Sequence, residues 1–125
     1  MKNQKEKVLR IIDHYGLVNQ KLKLLEEVGE LLEAESEMYY SSNLSNNYER
    51  LINHILEEYT DVQVVLEEHR LYWELALEDI KKVFDYKVDR TNKEINEELL
   101  RPTKGTRDSK SKVTNIKRKK GNLLQ

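Results

Sequence analysis

The chain has 125 residues, which corresponds to about one domain at the usual size of roughly 100–200 residues, so a multidomain enzyme is excluded. Hydrophobic residues make up 38% and charged residues 36%, against typical values of about 45–50% and 25%. A single molecule therefore has little apolar surface to bury, and self-association is expected. The absence of cysteine excludes disulfides, thiol catalysis and cysteine-based metal sites. Without an apolar run of about 18 residues or a signal-peptide pattern, the sequence predicts a soluble, cytoplasmic protein without membrane contact.

Charge divides the chain into two parts. Residues 1–100 carry 13 basic and 22 acidic residues, a net charge of −9, whereas residues 101–125 carry 9 and 1, a net charge of +8. The second part holds little periodic apolar content, so we predict a helical domain over 1–100 and a disordered basic tail over 101–125. The run 117–120 (KRKK) would suit a nucleic-acid contact through phosphates. A solubilising tail, or one that folds back on the acidic domain, is favoured because no aromatic residue is interleaved with the cations.

The first hundred residues predict an all-α fold, because the only proline is Pro102 and good helix formers dominate before it. A first helix is predicted over about 4–15, ending near Gly16. A second is predicted over about 18–41. The apolar residues at helical spacing are Val8, Ile11, Ile12 and Tyr15 on the first helix, and Val18, Leu22, Leu25 and Leu32, with Gly29, on the second.

A polar segment over 41–47 predicts a turn with an amino-cap residue near its end. A third helix follows over about 47–69 and a fourth over about 71–99. The break between them near 68–71 is weak, so one bent helix is the alternative to the two separate helices that we favour. The predicted apolar faces consist of Leu51, Ile52, Ile55, Tyr59, Val62 and Leu66 on the third helix and Leu71, Leu75, Ile80, Val83, Phe84 and Val88 on the fourth.

Two clusters concentrate negative charge on consecutive helices. Residues 26–30 (EEVGE) and 57–61 (EEYTD) each place carboxylates at positions i and i+3, which share a helix face and repel each other. Carboxylates on facing helices can share a hard divalent cation such as Mg²⁺, which would supply the missing positive charge. The alternative is a solvated acidic face, and spacing alone leaves the two interpretations about equal.

Three motifs in order resemble the MazG-like, all-α nucleoside triphosphate pyrophosphohydrolases. They are 23–31 (KLLEEVGEL), 57–62 (EEYTDV) and 84–90 (FDYKVDR), and the resemblance spans about residues 5–96. It implies a four-helix bundle-like domain that cleaves a nucleoside triphosphate between the α- and β-phosphates, giving a monophosphate and pyrophosphate. Clearance of dUTP or a non-standard deoxynucleotide is the role that it suggests.

The resemblance also implies which residues form the site. It carries over onto Glu27, Glu30, Glu58 and Asp61 as ligands of Mg²⁺, for which Mn²⁺ could substitute, and onto Lys87 and Arg90 as contacts of the substrate phosphates. Glu26 or Glu27 would orient or deprotonate the attacking water. The motif departs from the family pattern at Asp85, where many relatives have asparagine, and at Glu94, where arginine is common.

A homodimer or a dimer of dimers is the expected assembly, in which facing helices complete the nucleotide pocket. The competing hypothesis is a non-catalytic helical protein that binds a partner or nucleic acid through its basic tail.

Overall fold

The computed structural model describes residues 3–41 and 47–102, which form four α-helices and no strand. The helices are α1 (Gln4–Tyr15), α2 (Leu17–Tyr40), α3 (Tyr48–Tyr72) and α4 (Leu77–Leu100). The all-α prediction is confirmed for this part of the chain. None of these helices combines the length and the apolar character that crossing a membrane requires. Residues 42–46 of the predicted turn and 103–125 of the predicted tail lie outside the described residues.

The first helix begins and ends as its sequence predicts. The side-chain oxygen of Asn3 accepts a hydrogen bond from the backbone N–H of Glu6 at 2.9 Å, which caps the amino end. At the other end Gly16 adopts φ +87° and donates its N–H to the carbonyl oxygen of Ile12 at 2.8 Å. Because side chains other than hydrogen rarely tolerate this backbone conformation, Gly16 separates α1 from α2.

Two separate helices follow the predicted turn, but the break between them lies later than expected. Helix α3 continues through Leu71 and Tyr72 and ends at Trp73, whose N–H bonds to the carbonyl oxygen of His69. Glu74 takes φ +54°, and the guanidinium of Arg70 donates a 2.8 Å hydrogen bond to the carbonyl oxygen of Leu75. The predicted start of the fourth helix at 71 is therefore wrong. The turn depends on this side-chain contact and not on a local glycine or proline.

The chain divides into two compact units, Met1–Ile80 and Lys81–Gln125. In the first unit α2 and α3 pack against each other along most of their length, and α1 packs against both. Its buried apolar residues are Val8, Ile12, Ala34, Leu51 and Val65. In the second unit the described part of α4 is exposed, apart from the half-buried Ile95. The apolar residues Val83, Phe84 and Val88 are among its exposed positions.

The predicted apolar stripe of α2 is not the face that the fold buries. Val18, Leu22, Leu25 and Leu32 are 55–72% exposed, and Gly29 is also exposed. The buried face consists of Gln20, Glu27 and Ala34, seven residues apart, with half-buried Leu24, Leu31 and Met38 between and beyond them. Each buried position is offset by two residues from a position of the predicted stripe, and two residues correspond to a rotation of about 200° around the helix. Because the buried residues spaced seven apart include the polar Gln20 and Glu27, hydrophobic periodicity predicted the opposite face of α2 as the buried one.

On α3 the prediction is half right. Leu51 is buried and Ile55 and Val62 are half-buried, whereas Ile52, Tyr59 and Leu66 are exposed. On α1 the expected residues Val8 and Ile12 are buried and Tyr15 is exposed.

Candidate metal centre

Helices α2 and α3 run antiparallel, and their pairing brings the two acidic motifs together. The amide of Gln20 near the start of α2 bonds to Glu68 near the end of α3 at 2.7 Å, and Glu37 near the end of α2 lies 3.5 Å from Arg50 near the start of α3. Glu27 and Asp61 lie between these contacts. Glu27 stands seven residues after Gln20 on α2, and Asp61 stands seven residues before Glu68 on α3. The EExxE motif of one helix therefore faces the ExxD motif of the other.

Three of the four predicted metal ligands converge. One carboxylate oxygen each of Glu27, Glu58 and Asp61 lie within 4.8 Å of one another. Opposite ligands of an octahedral Mg²⁺ are separated by about 4.2 Å, twice the metal–oxygen distance of about 2.1 Å. Since the three oxygens lie only slightly farther apart than this, small side-chain rotations would bring them into one ligand sphere. Oxygen ligands from carboxylates are the set that Mg²⁺ and Mn²⁺ prefer.

Two oxygens of this cluster, Oε2 of Glu27 and Oε2 of Glu58, are buried and accept no hydrogen bond from an N–H or hydroxyl group within the described ranges. The other oxygen of each side chain has a neighbour. Oε1 of Glu27 lies 2.9 Å from Nζ of Lys23, and Oε1 of Glu58 lies 3.4 Å from Nε2 of His54. A buried carboxylate oxygen without a partner costs free energy, so a bound cation would stabilise this arrangement. The residues present therefore fit a divalent metal ion.

Glu30, the fourth predicted ligand, interacts with the same cluster. The negative charge of Glu27 raises the pKa of Glu30 from 4.5 to about 7, with contributions from partial burial and from hydrogen bonding to Glu27 and Glu58. Glu30 therefore holds a proton near neutral pH that a bound cation would displace. Although its oxygens are not among the three that lie closest together, its carboxyl group responds to both helices.

Lys23 supplies the nearest positive charge. Its ammonium group pairs with Glu27 at 2.9 Å and lies 3.8 Å from Oε1 of Glu26. The hydrogen bond with Glu27 raises the pKa of Lys23 above its ordinary value, so it stays charged. Glu26, which the sequence proposes as a catalytic carboxylate, remains largely exposed beside this pair.

A cleft of about 510 Å³ opens beside the cluster between α1, α2 and α3. Glu26, Glu27 and Asp61 line one end, and Gln20 and Glu68 line another part. Both Gln20 and Glu68 are buried. The cluster is thus reachable from a cavity of the size at which proteins bind small ligands.

The predicted phosphate-binding residues lie on α4, in the second unit. Lys87 and Arg90 are exposed and three residues apart on that helix. Nε of Arg90 lies 3.9 Å from Oε1 of Glu94, and its guanidinium lies 5.8 Å from the ring centroid of Tyr86. Asp85, where the motif departs from the family pattern, accepts a 2.9 Å hydrogen bond from Lys81. The role of Lys87 and Arg90 as phosphate contacts stays a prediction.

Sequence reasoning missed four neighbours of the site. Lys23 stands four residues before Glu27, and its pairing could have been read from helical spacing. His54 likewise stands four residues before Glu58, and its contact with that carboxylate follows the same helical spacing. The pair of Gln20 and Glu68 is 48 residues apart in sequence, and no local signal brings it together.

Comparisons of the chain with protein-family models, with curated proteins and with solved structures find no match. The MazG-like resemblance therefore stays a prediction from the three sequence motifs. The functional interpretation depends on the geometry of the described residues.

Proposed function

We propose that the protein is a Mg²⁺-dependent, MazG-like nucleoside triphosphate pyrophosphohydrolase that converts a (deoxy)nucleoside triphosphate into the monophosphate and pyrophosphate. The observation that carries the proposal is the convergence of Glu27, Glu58 and Asp61 from two helices, with two buried oxygens that accept no hydrogen bond from an N–H or hydroxyl group of the described residues. A solvated acidic face would point its carboxylates separately into water, where each would keep its hydration.

The metal-binding role falls to the four predicted carboxylates. Glu27, Glu58 and Asp61 would hold Mg²⁺ or Mn²⁺, and Glu30 would join them on losing its proton. When bound, the ion neutralises phosphate charge and favours in-line attack by water. The Lys23 ammonium, 2.9 Å from Oε1 of the buried Glu27, fixes the direction of that carboxylate.

The water-activating role falls to Glu26 or Glu27. Glu26 lines the cleft and stays largely exposed, so it can accept a proton from a water in that cleft. Glu27 is buried and already paired with Lys23, which suits a ligand better than a proton acceptor. Lys87 and Arg90 would bind the substrate phosphates, the first as a compact charge and the second as a planar fork.

Product analysis with a matched pair of variants tests the proposal. The protein is incubated with Mg²⁺ and a panel of nucleoside triphosphates, including dUTP, and pyrophosphate and the monophosphate are quantified. We expect release of pyrophosphate by wild type and a loss of at least about 100-fold in kcat/KM for Glu58→Gln, as for removal of one group that stabilises transition-state charge. Glu57→Gln, an exposed neighbour on the same helix, should keep wild-type activity.

Two results would count against this function. Wild type that is inactive on every nucleotide, with or without Mg²⁺ and Mn²⁺, contradicts it directly. Release of a single phosphate in place of pyrophosphate would keep the metal site and change the reaction.

A further inference from the structure

Two of the three converging carboxylates each have a basic residue four positions before them on their own helix. On α2, Nζ of Lys23 lies 2.9 Å from Oε1 of Glu27. On α3, Nε2 of His54 lies 3.4 Å from Oε1 of Glu58. Because residues four apart share a helix face, each contact is local to one helix. The same arrangement therefore occurs once on each of the two helices that form the proposed metal centre.

The two oxygens of each carboxylate have different surroundings. Oε1 of Glu27 and Oε1 of Glu58 face a basic side chain. Oε2 of each is buried and accepts no hydrogen bond from an N–H or hydroxyl group of the described residues. A cation binds less favourably to an oxygen that already faces an N–H hydrogen, since the two positive charges repel each other. Each carboxylate thus offers a cation one favourable oxygen instead of two.

His54 also contacts the facing helix. Nδ1 of its ring lies 3.6 Å from Oε2 of Glu37 on α2, and Oε1 of Glu37 accepts a 3.5 Å hydrogen bond from Nη2 of Arg50. The imidazole therefore lies between a carboxylate of α2 and a carboxylate of α3. Outer contacts of this kind fix the orientation of metal-binding side chains, and their loss typically changes metal affinity by about 10–100-fold.

We propose that Lys23 and His54 are positioning residues that make the centre select Mg²⁺ and Mn²⁺ over Ca²⁺. The inference rests on the proposed function, since it assigns the ion preference of the same site. Ca²⁺ takes about six to eight oxygens and often uses both oxygens of a carboxylate, whereas Mg²⁺ takes about six at shorter distances and keeps several waters. A site whose glutamates each present one favourable oxygen suits the smaller ion.

Calorimetric titration of the full chain with MgCl₂ and with CaCl₂, in the absence of nucleotide, measures this preference. The readout is the ratio of the two Kd values. Both ions carry the same charge, so a purely electrostatic effect of Lys23 would change both affinities alike and leave the ratio constant. We expect wild type to bind Mg²⁺ more tightly than Ca²⁺, and Lys23→Met to shift the ratio towards Ca²⁺ by about tenfold or more.

Two further substitutions on α2 serve as controls. Lys23→Arg keeps an N–H donor for Glu27 and should keep the wild-type ratio. Lys21→Met removes a positive charge from an exposed position of the same helix and should also leave the ratio unchanged.

Helix α3 provides an independent test should Lys23→Met fail to fold. His54→Leu removes the contact with Glu58 and should shift the ratio in the same direction. His54→Gln retains an N–H donor at about the position of Nε2 and should keep the wild-type ratio.

The inference is overturned if wild type prefers Ca²⁺, or if neither Lys23→Met nor His54→Leu changes the ratio. Absence of Mg²⁺ binding by wild type would refute the metal centre and this inference together. Pyrophosphate release with unchanged ratios would refute the positioning role alone. The expected ratios without pyrophosphate release from any nucleotide would refute the catalytic proposal alone.

Discussion

Glu30 is the residue whose protonation would link the stability of the fold to the proposed metal ion. Its pKa in the folded chain is about 7 against an ordinary value of 4.5, because Glu27 opposes a second negative charge. A carboxyl group whose pKa is raised in the folded state adds to the free energy of unfolding while it is protonated. This contribution is complete below pH 4.5 and is lost as the pH rises through about 7. The metal-free protein thus carries at pH 8 a repulsion that protonation relieves at pH 5.

A substitution that removes the charge should show this dependence. We expect Glu30→Gln to become progressively more stable than metal-free wild type between pH 5 and pH 8, because the amide cannot ionise. Urea unfolding in the presence of a chelator measures the difference. Glu33→Gln removes an exposed carboxylate from the same helix and should give a difference that varies little with pH. A flat difference for Glu30→Gln would show that the proton is not held by this cluster.

Metal-induced stabilisation tests Glu27 independently of activity. A ligand at 100 times its Kd stabilises the fold by about 2.7 kcal/mol, so saturating Mg²⁺ should raise the Tm of wild type measurably. The shift should be larger at pH 8 than at pH 5, since Glu30 must lose its proton. Glu27→Gln should abolish the shift while Glu33→Gln retains it. An equal shift in both variants would place the ion elsewhere.

At the scale of the helices, replacing two glycines with alanine should change the stability of the protein in opposite directions. Gly16 holds φ +87°, so Gly16→Ala should destabilise the protein by about 1–3 kcal/mol in urea unfolding. Gly29 lies inside α2 with no atom within 4 Å of where a Cβ would stand. Gly29→Ala should therefore stabilise the protein by up to about 1 kcal/mol, through helix propensity. Destabilisation by both substitutions would mean that the position of Gly29 is packed.

The sequence predicted the helices better than it predicted their faces. Gly16 and the polar segment after Tyr40 are local signals, so the bounds of α1 and α2 came within one residue. The end of α3 was missed because the contact from Arg70 to Leu75 leaves no pattern in the sequence. The buried line of α2 was missed because Gln20 and Glu27 occupy core positions for which hydrophobic periodicity expects leucine. Gln20 and Glu27 line the cleft of the candidate site, and departures from local rules are expected at functional sites.

The sequence indicated which carboxylates lie near one another, and it did not indicate which residues surround them. Spacing i, i+3 placed Glu27 with Glu30 and Glu58 with Asp61 on shared faces, and the antiparallel pairing of α2 with α3 supplies the rest. The register of α2 against α3 decides which carboxylate oxygens point inward. It also decides that Gln20 contacts Glu68. Register is a tertiary property and cannot be derived from either helix alone.

For the molecule as a whole, the exposed stripe of α2 predicts self-association. Leu25 and Leu32 are 72% and 55% exposed on one face of that helix, opposite the buried line. Apolar residues in a continuous row on the surface are typical of subunit interfaces. We propose that this face pairs with a second copy, in line with the dimer or dimer of dimers expected from composition.

Light scattering coupled to size exclusion measures the assembly. Wild type should show two or four times the monomer mass of 14.9 kDa, and the double substitution Leu25→Glu with Leu32→Glu should shift it to the monomer. Lys5→Glu introduces the same side chain at an exposed position of α1 and should leave the mass unchanged. A wild-type monomer at high concentration would contradict the prediction.

The facing sides of α2 and α3 contain both the buried apolar residues of the fold and the carboxylates of the proposed metal site. Leu51, Ala34 and Val65 are buried apolar residues of these two helices, and carboxylate oxygens of Glu27 and Glu58 lie within 4.8 Å of each other on the same pair of helices. Cation supply would therefore govern how tightly the hairpin closes as well as how fast substrate is turned over. If the proposed Mg²⁺ site holds the hairpin closed, proteases would cut the protein more easily in a cell short of magnesium, and its abundance would follow magnesium supply.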